Sequence, residues 1–207
     1  MQNKPMRKEY PMSKIFIVMG KSATGKDTIF KYLKESKELN LKSVIGYTTR
    51  PIRIGEIDGV EYFFVNEEKL QELKDNNKVI EHRAYNTMHG VWNYFTVDDG
   101  QIDLMHSNYI LIGTLESFSQ IRNYFGEEVV IPIYIEVEDG LRLLRAINRE
   151  QQQEIPKYPE LCRRFLADED DFSEENLKKL NIIKRYQNNN LNECLDEIKN
   201  DIKLKME

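Results

Sequence analysis

The chain has 207 residues, of which 40% are hydrophobic and 31% are charged, a composition typical of one folded globular unit rather than of a disordered or collagen-like chain. Its net charge of -5 excludes a general electrostatic footprint for nucleic acid, so we expect any phosphate site to be local. Two cysteines are too few to staple a secreted fold, and the longest apolar run, residues 15–19, is too short to span a membrane. We therefore expect a cytoplasmic protein whose partners include neither nucleic acid nor a membrane, and the sequence indicates no oligomeric state.

The N-terminal part of the chain is predicted to contain a tail, a strand and a helix. Residues 1–11 are polar and aperiodic, and we interpret them as a loose tail. The apolar run KIFIVM, residues 14–19, predicts a buried parallel strand, and a stripe of apolar residues over 25–36 predicts a helix. A glycine-rich loop joins the strand to the helix.

Residues 46–96 have a different texture and form a predicted insertion. Three strand-like runs, VIGYTT, VEYFFV and KVIEHRAY, are separated by turn residues, and one helix is expected over 67–76. This pattern indicates a small mixed β domain, so the α/β core would comprise residues 12–45 and 97–207.

Strands and helices alternate again after the insertion. Runs at 109–115 and 129–137 predict two more buried strands with a helix over 116–125 between them, and Pro132 indicates that the second strand lies near a sheet edge or bends. Helical patterns follow over 139–150, 159–172, 174–186 and 192–206. The polar stretch QQQEIPKYP, residues 151–159, predicts an exposed loop.

The loop after the first strand fits the pattern G-x-x-x-x-G-K. It lies between a predicted strand and a predicted helix, the position that this pattern needs in order to bind phosphate. Backbone N–H groups of such a loop and of the following helix wrap phosphate oxygens, and the lysine reaches the β- and γ-phosphates. The predicted nucleotide-phosphate site consists of Gly20, Lys21, Ser22, Ala23, Thr24, Gly25, Lys26, Asp27 and Thr28.

Asp27 departs from the pattern, which usually has Ser or Thr there to give a hydroxyl to Mg²⁺. A carboxylate is a hard oxygen ligand and can hold Mg²⁺ directly or through water. Alternatively, Asp27 only stabilises the start of the helix electrostatically. The sequence predicts a metal ligand at Asp27 and leaves the second interpretation open.

A second motif, YTTRPIRIGEIDGVEYFFV at residues 47–65, lies in the insertion. Taken with the glycine loop, it closely resembles the guanylate kinase family, whose signature reads T-R-x-P-R-x-G-E-x-x-G-x-x-Y-x-F. The resemblance covers most of the chain from Ser13. It implies the three-layer α/β fold of P-loop nucleoside monophosphate kinases, with a parallel core sheet, a mixed β nucleobase-binding insertion at 46–96 and a helical lid near 146–160. It also implies transfer of the ATP γ-phosphoryl group to GMP with Mg²⁺ as cofactor.

The resemblance assigns several residues of the insertion to the acceptor nucleotide. Glu81 matches the carboxylate that accepts hydrogen bonds from N1–H and the 2-amino group of guanine. His89 stands where the family usually has a phosphate-binding tyrosine, and a histidine can still donate to phosphate. The residues that match the family's monophosphate-binding set are Arg50, Arg53, Glu56 and Tyr62.

Arginines at helical spacing mark the predicted lid. Arg145 and Arg149 match the family's R-x-x-x-R pair, and Arg163 or Arg164 lies where a returning lid arginine is expected. Such cations neutralise the charge on a transferring phosphoryl group. The predicted catalytic residues are Lys26, Arg145, Arg149 and Arg164.

Two further C-terminal features were assigned from the sequence. Asn188 roughly matches an asparagine near the family's adenine pocket, so it joins the predicted ATP site. The acidic run 168–171 precedes a predicted helix start, and we interpret it as solvated residues that favour that helix end.

Three positions depart from the family pattern. Gly46 and Val91 stand where hydroxyl residues help to read the base, and Ile112 lies in a strand that usually carries D-x-D. Two alternatives therefore stay open: a related kinase for another nucleotide monophosphate, and a guanylate-kinase-like binding module without catalysis. Lys26, Arg145 and Arg149 favour a kinase, since an interaction surface needs no phosphate-transfer cations.

Overall fold

A parallel sheet of five strands forms the centre of the computed structural model, which describes residues 13–87 and 90–207. The tail predicted over 1–11 and the predicted phosphate ligand His89 lie outside those residues. In chain order the elements are β1 (Ile15–Met19), α1 (Lys26–Glu35), β2 (Lys42–Ser43), β3 (Tyr47–Thr48), β4 (Phe63–Phe64), α2 (Glu67–Asp75), β5 (Val79–Thr87), β6 (Gly90–Val97), β7 (Tyr109–Ile112), α3 (Leu115–Phe125), β8 (Val130–Glu136), α4 (Asp139–Gln151), α5 (Tyr158–Asp171), α6 (Glu174–Lys179), β9 (Tyr186–Gln187) and α7 (Leu191–Met206).

The core sheet has the strand order β2-β7-β1-β8-β9, and every neighbouring pair is parallel. Its central strand β1 is buried along its whole length, as a parallel strand covered on both faces must be. Successive side chains of β1 alternate between two apolar clusters. Ile17 packs in one cluster with Phe118 of α3, whereas Val18 packs in the other with Ile29 of α1 and Ile198 of α7. The predicted three-layer α/β fold is confirmed.

The second sheet has the order β4-β3-β6-β5 and is mixed, since β3 runs parallel to β4 and antiparallel to β6. It carries a small apolar cluster around Leu70, Phe95 and Val97. Helix α3 ties it to the core: the Gln120 side chain accepts a hydrogen bond from the N–H of His82 at 3.0 Å and donates to its carbonyl at 3.1 Å. These two hydrogen bonds connect the second sheet to the core along one side of the cleft between the sheets.

Several elements end at residues other than those predicted from the sequence. The helix predicted over 174–186 stops at Lys179, because Asn181 adopts a left-handed conformation (φ 54°) and residues 186–187 pair with β8 as strand β9. The strand predicted over 109–115 stops at Ile112, because Thr114 and Ser117 form a capping box that starts α3. The pattern did not indicate β2 and β6.

Pro132 lies at an exposed edge, as its sequence position predicted. Strand β8 pairs with β1 over residues 130–134, but β9 pairs only with Ile135 and Glu136. Strand β8 is therefore paired on one side only at Pro132, which is the kind of edge position where a sheet tolerates proline. Within the described ranges, each helix is too short or too polar to cross a membrane.

Candidate active site

The glycine loop has a conformation that only its own small residues allow. Gly25 has φ +85°, and a Cβ there would lie 2.5 Å from Asn188 Nδ2. A Cβ on Gly20 would lie 2.6 Å from the Ile135 carbonyl oxygen. Ala23 is also left-handed, with φ 63°, a conformation that is strained for an L-residue. Helix α1 begins at Lys26 without a side-chain cap, so its first N–H groups are left to bind an anion.

Asn188 stabilises the conformation of the glycine loop through a hydrogen bond. Its side chain is buried, and Nδ2 donates to the carbonyl of Thr24 at 2.7 Å. Arg145 of α4 in turn donates from Nη2 to the carbonyl of Asn188 at 2.9 Å. The contacts of Asn188 and Arg145 are therefore with the loop and its support, whereas contact with a nucleotide stays a prediction for both.

Lys26 is the cation at the floor of the cleft. Its side chain is 19% exposed, and burial lowers its pKa, with Arg149 and Arg164 acting in the same direction. The nearest carboxylate oxygen, Asp27 Oδ2, is 4.0 Å from Lys26 Nζ, too far for a tight ion pair. The carboxylates of Asp27 and Asp168 act in the opposite direction and offset only part of the effect of burial on the Lys26 pKa. A bound anion would therefore stabilise the Lys26 cation further. The arrangement is suited to binding a polyphosphate.

Arginines from three segments face the loop across the cleft. Arg164 of α5 donates from Nη2 to Ser22 Oγ at 3.3 Å. Arg53 of the insertion, Arg149 of α4 and Arg164 line one cavity of about 440 Å³ together with Ser22. Residues far apart in sequence, all predicted to bind phosphate, are thus brought to one place.

Arg142 lies on the same helix as Arg145 and Arg149 and lines the same cavity as Arg149, but its guanidinium is already paired. It is 1% exposed and forms ion pairs with Asp139, Asp168 and Glu169. Its guanidinium also lies 4.2 Å from the ring centroid of Phe165. Arg142 therefore holds α4 and α5 together rather than offering a free cation.

The acidic run 168–171 is the last turn of α5 and not the start of the next helix, so our interpretation of it was wrong. Asp168 Oδ2 accepts a hydrogen bond from the backbone N–H of Ser22 at 2.7 Å. Glu169 pairs with Lys21 at 2.6 Å. Two carboxylates therefore rest on the glycine loop, where phosphate oxygens would compete for the same donors.

Arg50 and Glu56 form a bidentate pair in the acceptor half of the cleft. The two Nη atoms of Arg50 donate to the Glu56 carboxylate at 2.7 and 2.6 Å, and these bonds lower the pKa of Glu56 to about 2. The Arg50 guanidinium also lies 5.4 Å from the ring centroid of Tyr62. Since Glu56 carries negative charge and uses both oxygens on Arg50, we interpret it as a residue that positions Arg50 rather than as a phosphate ligand.

Tyr62 and Glu81 line one cavity of about 540 Å³ that also reaches Lys26 and Asp27. Burial raises the pKa of Tyr62, so its hydroxyl remains a donor at neutral pH. Glu81 is 2% exposed. The lysine of the glycine loop and the carboxylate predicted to read the base therefore line one continuous cavity.

Sequence reasoning missed the immediate partners of Glu81. Arg83 donates from Nε to Glu81 Oε2 at 2.9 Å and from Nη2 to Oε1 at 3.2 Å, and Thr96 Oγ1 donates to Oε1 at 3.0 Å. Arg83 could have been found, because residues i and i+2 of a strand share one face. Thr96 lies on a strand that the sequence did not indicate.

Oxygen donors suitable for Mg²⁺ lie beside Lys26. Asp27 has a side chain that is 77% exposed and opens on the same cavity as Lys26, followed by the exposed Thr28. Within residues 13–87 and 90–207, no three His, Cys, Asp or Glu side chains are arranged to enclose a metal. Mg²⁺ at phosphoryl-transfer sites takes one or two protein oxygens and completes its shell with phosphates and water, so this donor set fits it.

The positions of the missing family carboxylates hold side chains without negative charge. Ile112 presents an aliphatic side chain to the cavity. Thr114 is used as the cap of α3. Asp27 is therefore the acidic side chain adjacent to Lys26 in this cavity.

Comparison with known proteins shows which family the chain is similar to. The family model for guanylate kinases matches residues 12–203. The guanylate kinase of Mycoplasma mobile is 28% identical over 209 aligned residues that cover 92% of each chain, and that of Oceanobacillus iheyensis is 31% identical over 145 residues, 68% of this chain and 67% of the relative. A crystal structure of guanylate kinase from Anaplasma phagocytophilum superposes with a TM-score of 0.59 at 20% identity, over 94% of this chain and 86% of the other, and thus shares the fold.

Proposed function

The chain belongs to the guanylate kinase family and is a nucleoside monophosphate kinase, and we propose on this basis that it transfers the γ-phosphoryl group of ATP to GMP, giving ADP and GDP. The observation that carries the proposal is the single cavity that joins Lys26 of the glycine loop to Glu81 in the insertion. A donor phosphate at one end and a base at the other leave the acceptor phosphate between them. Transfer is in line and forms no covalent intermediate with the protein.

The donor half of the site works by positioning and charge. Backbone N–H groups of the loop and of the start of α1 bind the β- and γ-phosphates. Lys26 lies where its ammonium group can contact the γ-phosphoryl group throughout its transfer. Arg149 and Arg164 neutralise charge on the equatorial oxygens as the bond to the leaving group lengthens. The Asp27 carboxylate would hold Mg²⁺ beside the phosphates, where the ion would neutralise further negative charge.

The acceptor half binds GMP through the insertion. Arg50 and Arg53 bind the monophosphate with the Tyr62 hydroxyl, and His89, outside the described residues, is proposed as a further donor. Glu81 accepts hydrogen bonds from N1–H and the 2-amino group of guanine. A lid over residues 146–160 closes on the loop and excludes water, which would otherwise compete with the acceptor.

One observation favours the alternative that the protein phosphorylates another nucleotide monophosphate. Gly46 lines the cavity proposed for the base and has no side-chain hydroxyl to read guanine. A coupled assay of ADP release with GMP, dGMP, AMP, CMP and UMP separates the two. We expect turnover with GMP and dGMP above the other three substrates. Turnover of AMP, CMP or UMP without turnover of GMP would assign the protein to another nucleotide.

Asp27→Ala is expected to raise the Mg²⁺ concentration for half-maximal rate by about threefold to tenfold, since it removes one protein oxygen from the ion. Asp27→Ser, which restores a hydroxyl, should recover part of that loss. The measurement is initial rate against free Mg²⁺ for the three proteins. Identical Mg²⁺ curves would show that Asp27 acts only at the helix start.

Asp168→Asn is expected to tighten ATP binding by about threefold to tenfold. The change removes a negative charge from the Ser22 N–H, while an amide oxygen can keep the hydrogen bond in the empty protein. Calorimetric titration with ATP gives the Kd. Asp170→Asn, an exposed neighbour on the same helix turn, is the matched control and should bind like wild type. Unchanged or weaker ATP binding by Asp168→Asn would mean that the carboxylate does not compete with phosphate.

A further inference from the structure

The Arg83–Glu81 pair is the part of the acceptor cavity that the family pattern leaves unexplained. Both side chains are mostly withdrawn from water, with Arg83 16% and Glu81 2% exposed. Both line the cavity that leads to Lys26. A buried charge pair requires well-placed hydrogen bonds, and here the guanidinium uses two of its five N–H donors on the carboxylate.

The hydrogen bonds at Glu81 leave too little capacity for guanine. A carboxylate offers about four acceptor positions, and Arg83 and Thr96 occupy three of them. N1–H and the 2-amino group of guanine need two positions. One present donor must therefore give way, and the longest of the three contacts, at 3.2 Å, is that of Arg83 Nη2.

The displaced donor has a partner on the same base. Guanine presents the acceptor O6 next to the donors N1–H and N2, so an arginine beside a glutamate is complementary to that edge. Arginine paired with guanine O6 and N7 is also the commonest specific contact to this base. Adenine presents an amino group in place of O6, which would face the guanidinium donor to donor.

We propose that Arg83 is a specificity-determining residue that donates to guanine O6 when GMP binds. It takes the place of the hydroxyl absent at Gly46, which lines the same cavity. This inference rests on the proposed function, since it assigns the reader of the acceptor's base. On binding, Nη2 moves from Glu81 Oε1 to O6, and the freed oxygen accepts from guanine.

The wall of the cavity at Gly46 is formed by backbone and ring atoms. A Cβ on Gly46 would stand 3.6 Å from the Phe95 carbonyl oxygen and 3.7 Å from the Tyr62 ring, ordinary contact distances. Gly46 therefore supplies no side-chain donor to the cavity, and a donor that reads the base has to come from another residue that lines it.

The test compares kcat/KM for GMP, IMP and AMP in full-length wild type, Arg83→Met and Glu81→Gln. IMP keeps O6 and N1–H but lacks the 2-amino group. We expect Arg83→Met to lose about tenfold or more with GMP and IMP together and to keep its rate with AMP, because only the first two carry O6. The GMP-to-IMP ratio, set by Glu81, should stay within about twofold in Arg83→Met and collapse in Glu81→Gln.

A merely structural role for Arg83 gives a different pattern. If Arg83 only holds Glu81 in place, Arg83→Met lowers the GMP-to-IMP ratio as Glu81→Gln does, and the inference is overturned. Arg83→Gln, which keeps one donor beside Glu81, serves if thermal melts show that Arg83→Met is unfolded, and it should retain part of the preference for GMP and IMP over AMP. Wild type that turns over IMP and AMP equally overturns the Arg83 inference alone, whereas wild type inactive with GMP overturns the proposed function as well.

Discussion

Lys26→Met is expected to lower kcat by about a thousandfold or more while the protein stays folded. A preorganised cation at the transferring phosphoryl group supplies several kcal/mol of transition-state stabilisation, and methionine keeps the length of the side chain without the charge. The measurement is kcat with saturating ATP and GMP. Lys31→Met, an exposed lysine on the same helix, is the control and should keep the wild-type rate.

Thermal stability gives an independent readout of the same substitution. Burial lowers the pKa of Lys26 from 10.5, so folding disfavours its charged form. Lys26→Met should therefore melt at or above the wild-type temperature at pH 7, and the difference should shrink as the pH rises toward 10.5, where wild type loses the charge in both states. Near-normal turnover in folded Lys26→Met would exclude a kinase mechanism at this loop.

Glu81→Gln is expected to abolish most of the preference for GMP over AMP, a change of about a hundredfold in the ratio of kcat/KM values. The carboxylate accepts two charge-assisted hydrogen bonds from guanine, each roughly twice as strong as a neutral one, and an amide can accept only at its oxygen. With Gly46 adding no hydroxyl, discrimination depends on Glu81 and its partner Arg83.

Glu68→Gln, an exposed glutamate on α2 of the insertion, controls for the loss of one charge and should keep the wild-type ratio. The GMP and AMP values must be measured on proteins with matching thermal melts, because Glu81 is buried beside Arg83. Equal ratios in wild type and Glu81→Gln would mean that another group reads the base.

Local sequence patterns were sufficient to predict the main strands and helices of the core. The run KIFIVM predicted β1, because a parallel strand covered on both faces needs uninterrupted apolar residues. The glycine loop was predicted because its G-x-x-x-x-G-K pattern lies within one short stretch of the chain. Strand β9 was missed, since two residues pair with β8 only after the chain has turned at Asn181. A helical pattern over 174–186 could not indicate that turn.

The site was predictable where a residue type alone carries the chemistry. Lys26, Arg149 and Arg164 were named from spacing and resemblance, and the structure brings them around the loop. Asp168 lies 146 positions from Ser22, so its contact with the loop depends on the packing of α5 and left no local signal. Arg83 could have been predicted as a neighbour of Glu81, because residues two apart on a strand lie on the same face.

The most direct test of the proposed function follows the phosphoryl group itself. The full-length protein is incubated with ATP labelled at the γ-phosphate, GMP and Mg²⁺, and the labelled products are separated. Transfer to GMP predicts that the label appears in GDP, at a rate that falls about a thousandfold in Lys26→Met. Label found only in inorganic phosphate, or left in ATP, would contradict the proposed function.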